Sequence, residues 1–489
     1  MKVYEGKDVR NIALVGHGHS GKTMLTSALL YTSGATNRLT RPEEGNTITD
    51  FDEEEINRNI TIFTGLAVAE WDRRKVNILD TPGFSLFLDE THATMVAADA
   101  ALILVDGVAG VEAQTQKVAS FAEEFKLPRA FIINKLDRDR SSFERALESV
   151  HEAFGRTAVP IQLPIGSEKN FTGVVDLITM KSYTYEPSGN GRGKEGEIPA
   201  DMAEAAKAAH ETLVEMVAEG KDELMEEFFE QGTLPPEHII EGLREEMREL
   251  RLFPVLCVSA AQNIGCDRLL SFIAEFFPSP VEREVDVNSN GNHARRPVTD
   301  TDPASAFVFK TVADPFAGRV SYFKVFSGVL HNDDHLQNAR SNADERLAHL
   351  GCAMGKNIQE VPELHAGDIG AVAKLKDTLT GDTLCLKNAP VSYPPVHVAE
   401  PSIAYAVAAK SRNDEDRMGN AIHKILEEDT ALRFYRDPQT NEFLLAGSGQ
   451  QHVEIVVSRL KRRYGVDVTL HAPKIPYRET IRGRAEVQG

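Results

Sequence analysis

The run Gly16-His17-Gly18-His19-Ser20-Gly21-Lys22-Thr23 has the form G-x-x-x-x-G-K-T and directly follows the apolar stretch Ile12 to Val15. A phosphate-binding loop requires that placement, between a strand and a helix, and the placement commits the surrounding chain to an α/β fold. Glycines let backbone N–H groups turn toward a polyphosphate. Lys22 can reach the β- and γ-phosphates, and the Thr23 hydroxyl suits Mg²⁺. A glycine-rich turn of no special chemistry is the alternative until a second nucleotide motif is found.

Asn134-Lys135-Leu136-Asp137 is that motif, and it follows another apolar run, Ala130 to Ile133. A carboxylate placed like Asp137 accepts from N1–H and the 2-amino group of guanine. Adenine lacks that donor pair and would leave the charge unsatisfied. Asn134 can bond the base edge and tie the phosphate loop to it, while the Lys135 stem covers a ring face. Val76 to Leu79 leads into Asp80-Thr81-Pro82-Gly83, where Asp80 can hold the Mg²⁺ shell through water and the Gly83 N–H can sense the γ-phosphate. Val255 to Val258 leads into Ser259-Ala260, whose backbone can meet guanine O6. Together these motifs point to GTP and GDP with Mg²⁺, and away from ATP.

With 489 residues the chain exceeds what one core supports, so several domains are expected. The formal charge of −20 argues against a non-specific nucleic-acid or DNA binder, though not against a ribonucleoprotein met through local patches. No apolar run suggests a membrane span or signal peptide. Cys257, Cys266, Cys352 and Cys385 lack C-x-x-C spacing and read as reduced thiols of a cytoplasmic protein.

Residues 1–285 alternate strand-like and helix-like segments, as a doubly wound α/β nucleotide-binding domain requires. They carry a Glu-rich helical insertion at about 166–251, with helices expected over Asp201 to Gly220, Lys221 to Gln231 and Pro236 to Arg251. The loop Ser188 to Gly193 is glycine-rich, and the acidic helical surface is read chiefly as a solvated face. Residues 286–303 read as a linker. Short alternating runs within 304–398 (Ala306 to Lys310, Arg319 to Phe326, Gly367 to Leu375, Asp382 to Leu386) suggest a small antiparallel β-barrel. Residues 400–477 read strand, helix, strand, strand, helix, strand, the order of a ferredoxin-like α+β domain. Its last helix ends in Arg459, Lys461, Arg462 and Arg463, which either complement the helix C-terminus or touch phosphate.

Over essentially its whole length the chain resembles translation elongation factor G, and within it the divergent elongation factor G-like paralogues. The resemblance rests on the motifs above, on Arg58-Asn59-Ile60-Thr61-Ile62, Ala313-Asp314-Pro315-Phe316-Ala317-Gly318-Arg319, Gly449-Gln450-Gln451-His452-Val453-Glu454 and Pro476-Tyr477-Arg478-Glu479-Thr480. It implies a monomeric GTPase that binds the ribosome, meeting rRNA and, through the insertion, stalk proteins. It also implies that Thr61 joins Thr23 and Asp80 at the metal, and that Lys22, Thr61 and Gly83 form the catalytic set. Residues 478–489 would begin a fourth domain, and the expectation is a truncated chain.

The chain departs from the family at several positions. Phe84 stands where the family has a water-orienting histidine, and a benzyl group neither donates nor accepts a hydrogen bond. One account makes Phe84 a hydrophobic gate, with hydrolysis carried by Lys22, Mg²⁺ and the Thr61 and Gly83 backbones at a low intrinsic rate. The other makes hydrolysis vestigial. His19 replaces an aspartate and reads as a packing or loop-shaping residue, with charge neutralisation the alternative. Asn59 replaces a glycine and is expected to restrict its segment. Gln450-Gln451 also depart, with no consequence legible in sequence.

Overall fold

The computed structural model describes residues 2–186, 189–289, 291–314, 318–395, 398, 400–477, 482–484 and 486–488. Ser188 of the glycine-rich loop, Pro315, Phe316 and Ala317, and Arg478, Glu479 and Thr480 lie outside the described residues. The chain divides into two compact units, 1–397 and 398–489.

In the first unit, β1 (Val9–Gly16) is buried along its length, as a central parallel strand covered on both faces must be. It is followed by α1 (Lys22–Ser33), α2 (Glu53–Arg58), β2 (Gly65–Trp71), β3 (Arg74–Asp80), α3 (Leu88–Met95), β4 (Ala100–Asp106), α4 (Ala113–Glu124), β5 (Arg129–Asn134), α5 (Phe143–Phe154) and β6 (Ala158–Pro160). Then come β7 (Gln162–Ile165) and, within the insertion, β8 (Gly173–Asp176), β9 (Lys181–Thr184), β10 (Lys194–Gly196), α6 (Ala203–Ala218), α7 (Asp222–Gln231) and α8 (Pro236–Arg248). The chain returns through β11 (Phe253–Cys257) and α9 (Cys266–Phe276). The main sheet has the order β2-β3-β1-β4-β5-β11-β6 and is parallel except for β2. Its chain order reverses at β1, which lies between β3 and β4, so the loop after β1 opens at the switch point where α/β sheets bind ligands.

The insertion is not purely helical. Its three helices lie where expected, but before them β8 to β10 form an antiparallel sheet with β7, the strand that leads into it. The β-branched and aromatic residues Val174, Val175 and Tyr183 favour strand there. The segment 286–303 also differs from the expected linker. β12 (Glu284–Ser289) pairs with β13 (Asn292–Pro297) from Glu284↔Pro297 to Ser289↔Asn292. Gly291, directly before β13, has φ 84°, the left-handed backbone that a tight turn asks of a glycine.

Ten further strands follow: β14 (Ser305–Asp314), β15 (Gly318–Ser327), β16 (Leu330–His331), β17 (His335–Asn338), β18 (Asp344–Arg346), β19 (Gly351–Met354), β20 (Asn357–Glu360), β21 (Glu363–Leu364), β22 (Ile369–Ala373) and β23 (Thr383–Cys385). The expected barrel is an antiparallel half-barrel, ordered β18-β17-β23-β14-β15-β22-β19-β20, with β16 pairing β21 apart. Its edges β18 and β20 are short and charged, carrying Asp344, Arg346 and Glu360, a composition that blunts further pairing.

The half-barrel and the α/β block share one hydrophobic cluster, in which Leu79, Ile103 and Phe131 join Phe307 and Tyr322. Buried charges pin the junction. Lys75 Nζ donates to both Asp368 oxygens at 2.7 Å and to Cys352 Sγ at 3.0 Å. Lys324 donates to Asp99 at 2.7 Å, Asn11 donates to the other Asp99 oxygen at 2.7 Å, and Asn77 links Asn11 to Asp368.

In the second unit, β24 (Ile403–Ala409), α10 (Arg412–Glu428), β25 (Arg433–Arg436), β26 (Phe443–Gly447), α11 (Gln450–Tyr464) and β27 (Val468–His471) form the expected ferredoxin-like α+β fold, with sheet order β25-β26-β24-β27. Val407, Ile422, Leu445, Val453 and Leu460 are among its core residues. Arg459 and Arg463 pair with Glu428, and Lys461 with Asp467. All four cysteines are free and buried. Among the described residues no helix is long and apolar enough to cross a membrane.

Removing one partner of the Lys75–Asp368 pair leaves a buried charge uncompensated. Lys75→Met is expected to destabilise the first unit by about 3–5 kcal/mol, and adding Asp368→Leu to recover most of that loss. Chemical unfolding monitored on the single and double variants checks both statements.

Candidate functional site

The loop after β1 takes its shape from backbone that few residues tolerate. Gly16 has φ 153° and Gly21 φ 96°, while His19 sits at φ 63°, a left-handed conformation that histidine enters more readily than most side chains. Lys22, at the first turn of α1, folds back to donate to the carbonyls of Gly16 (3.1 Å) and His17 (2.8 Å). Its burial pushes the ammonium down to about 8, against the pull of Asp80 and Asp50. The turn Asp80–Gly83 is fixed by the Thr81 hydroxyl on Leu14 O (2.7 Å) and the Thr91 hydroxyl on Pro82 O (2.8 Å). Gly83 then lies so near the loop that an added Cβ would stand 2.3 Å from Lys22 Nζ and 2.7 Å from Gly16 O.

Thr61 reaches the loop from a strap running roughly from 40 to 63. The Thr23 and Thr61 hydroxyl oxygens are 3.1 Å apart, and Thr61 donates to Asp50 Oδ2 at 3.2 Å. Thr49 donates to Asp80 Oδ2 at 2.6 Å. The remaining oxygens, Asp50 Oδ1 and Asp80 Oδ1, are buried and have no hydrogen-bond partner among the described residues. Burial raises both carboxyls. The charges of Glu55 and Asp80 add to that of Asp50, while the Thr49 hydroxyl and Lys22 oppose it at Asp80. Hydroxyls and carboxylates in this arrangement fit a hard divalent cation. Neighbouring ligands of an octahedral Mg²⁺ lie roughly 3 Å apart, the Thr23–Thr61 spacing.

The strap is held by α2. Asp52 and Glu55 form its capping box, and Glu55 also accepts from the Ile62 and Phe63 amides at 3.0 Å each. Asn59 takes the left-handed C-cap, φ 52°, a conformation that glycine and, less often, asparagine adopt at helix ends. Phe84 lies against the loop. Its ring carbons would be 3.1–3.2 Å from a Cβ on Gly18, and the His19 ring meets it edge-on at 5.0 Å.

At the other end of the cleft, Asn134 Nδ2 donates to Ser20 O (3.0 Å) and Asn134 Oδ1 accepts from the Ala260 amide (3.1 Å). Ser259 Oγ donates to Asp137 at 2.7 Å, and Lys135 Nζ donates to Asp106 at 2.7 Å. The cleft holds about 280 Å³, and Gly18, His19, Gly21, Lys22, Thr23, Thr61, Gly83, Asn134, Lys135 and Ala260 line it. Gly16, Ser20, Asp80, Asp137 and Ser259 are not among its lining residues. His17 pairs with Glu112 instead, at 3.5 Å. Sequence reasoning missed Thr49, Asp50, Glu55 and Asp106. The D-x-x-E spacing of Asp52 and Glu55 before a helical pattern was the available signal for α2.

Residues 7–279 match the family described as the elongation factor Tu GTP-binding domain, 303–387 the one described as elongation factor G domain 2, and 398–472 the one described as elongation factor G domain III. The crystal structure of a protein from Thermus thermophilus is similar, with 36% identity and a TM-score of 0.87. The match covers 96% of this chain and 68% of that one.

Gly83→Ala should force Lys22 or the loop aside at a cost of about 1–3 kcal/mol, weakening triphosphate-analogue binding roughly tenfold or more in calorimetry. A second expectation concerns Glu55, which is pushed up to about 7 by burial, with the Phe63 and Ile62 amides opposing. A carboxyl raised in the folded state binds its proton more tightly there than in the unfolded chain, so stability falls as pH rises from the ordinary value toward about 7. Glu55→Gln removes that loss. The melting temperature of Glu55→Gln relative to the native protein should therefore climb between pH 5 and pH 8, and a constant difference would contradict the assignment.

Proposed function

Because the chain belongs to the elongation factor G family, and so carries the domains of a GTP-binding translational GTPase, we propose that it hydrolyses GTP to GDP and phosphate when stimulated by the ribosome. The observation that carries this reading is the convergence of Thr23, Thr61, Asp50 and Asp80 beside Lys22, with two carboxylate oxygens left for a cation. Lys22 would hold the β- and γ-phosphates, and the Gly83 amide would register the γ-phosphate. Asp137 would read N1–H and the 2-amino group of guanine, braced by Ser259, while Asn134 and the Ala260 amide fix the base-end loop. Thr23 and Thr61 would hold Mg²⁺ with Asp80 behind them. When bound, Mg²⁺ neutralises charge on the transferred phosphoryl oxygens.

In the reaction a water oxygen bonds to the γ-phosphorus as the bond to the β–γ bridging oxygen breaks. Phe84 has no hydrogen bond to offer that water, so its orientation falls to the Thr61 and Gly83 backbones, with Phe84 as an apolar gate over Gly18. A low intrinsic rate is expected without the ribosome. The protein is proposed to act as a cytoplasmic monomer, meeting rRNA and stalk proteins. Phe84 also supports a second reading, a ribosome-associated GTP-binding regulator whose hydrolysis is vestigial.

Single-turnover GTP hydrolysis with and without ribosomes separates the two. The first reading predicts a strong ribosome-dependent rate, and the second predicts tight binding without turnover. Phe84→His should raise the rate by about 10²-fold or more if the native site lacks a water-orienting group, and leave it unchanged if the backbones already supply one.

A further inference from the structure

The strap that carries Thr61 to the phosphate loop touches the opposite end of the cleft as well. Its first residues are anchored to α1, where the buried Thr40 hydroxyl donates to Ser27 Oγ at 3.1 Å. The next residue, Arg41, has its amide held by Asn46 Oδ1 at 3.3 Å and extends its side chain so that Nη2 donates to Ala261 O at 3.3 Å. Ala261 directly follows the Ser259-Ala260 turn, which is tied to Asp137 and Asn134. Arg41 therefore crosses from the strap to the base-end loop and lines the cleft together with Lys135 and Arg138.

We propose that Arg41 is a nucleotide-binding residue that closes the base end of the cleft over the guanosine moiety, so that one strap secures the ligand at both ends. This rests on the guanine-nucleotide reading. A guanidinium has five N–H donors and a flat face. Among the described residues the Arg41 side chain donates to Ala261 O alone, which leaves donors for ribose or phosphate oxygens and the face for the base. The two ends of the strap are joined by packing within it. Gly45, at φ 63°, lies against Ile56 of α2, where a Cβ would come within 2.7 Å of Ile56 Cγ2, and α2 leads through Asn59 to Thr61. When Thr61 is drawn onto Thr23, Arg41 is held on Ala261. When the strap leaves, both ends of the ligand are released.

The test is the dissociation rate of a fluorescent GDP and of a fluorescent non-hydrolysable GTP analogue, chased with unlabelled nucleotide. Native protein, Arg41→Ala, Arg41→Lys and Ser27→Ala are compared. Losing a charge-assisted contact should speed release of the GTP analogue about tenfold or more in Arg41→Ala. Arg41→Lys should fall between Arg41→Ala and native, and Ser27→Ala, which loosens the anchor without touching the cleft, should show a smaller increase. The melting temperature of nucleotide-free Arg41→Ala and Arg41→Lys should stay within a degree or so of native, because Arg41 bridges two segments and supports no core, whereas Ser27→Ala removes the partner of a buried hydroxyl and is read against its own melting temperature. Release rates in Arg41→Ala within about twofold of native for both nucleotides would overturn the proposal, as would an equal drop in melting temperature and in retention. A native protein that retains neither nucleotide overturns the guanine reading and the clamp with it.

Discussion

Asp50 and Asp80 are buried within reach of the buried Lys22 ammonium, and each keeps one oxygen without a partner among the described residues. Leaving such groups in a low-dielectric site is costly, and the surrounding structure reads as a response to that cost. Thr49 and Thr61 donate to one oxygen of each carboxylate, and the loop carbonyls take up the ammonium. What remains is a set of oxygens suited to a hard cation, beside a lysine suited to phosphate.

The half-barrel extends the same logic. Glu90 of α3 accepts from the Thr64 amide at the strap's end and pairs with Lys310 of β14, whose ammonium lies 5.2 Å from the centre of the Phe63 ring. Gly355, on the turn between β19 and β20, donates its amide to Leu66 O at 2.7 Å and lies against Ile48 O, where a Cβ would have no room. These contacts reach both edges of the strap. Lys75–Asp368 and Lys324–Asp99 hold the half-barrel on the sheet at fixed register, so the braces are delivered to a constant position.

The phosphate loop, the D-x-x-G turn and the guanine motif were legible because each is local: a few residues at fixed spacing after an apolar strand. The same held for the second unit, where alternation and helical periodicity are strong and the expected order of four strands and two helices is the one found. Asp50 and Thr49 were not legible, because their role arises only when the strap folds back on Asp80, a contact across 31 residues. Lys75 was invisible for a similar reason. A lysine in a strand reads as exposed, and only the arrival of Asp368 from the half-barrel accounts for its burial. The linker became a hairpin because its polar residues were read for flexibility rather than for turn geometry.

The central claim is that the strap closes onto a cation-centred site through Thr61. The direct measurement is a crystal structure of the protein with Mg²⁺ and a non-hydrolysable GTP analogue. The account predicts a metal bonded to the Thr23 and Thr61 hydroxyls and to phosphate oxygens, with Asp50 and Asp80 holding its outer shell. A metal bound without Thr61, or a strap displaced from the loop while the analogue is in place, would contradict it.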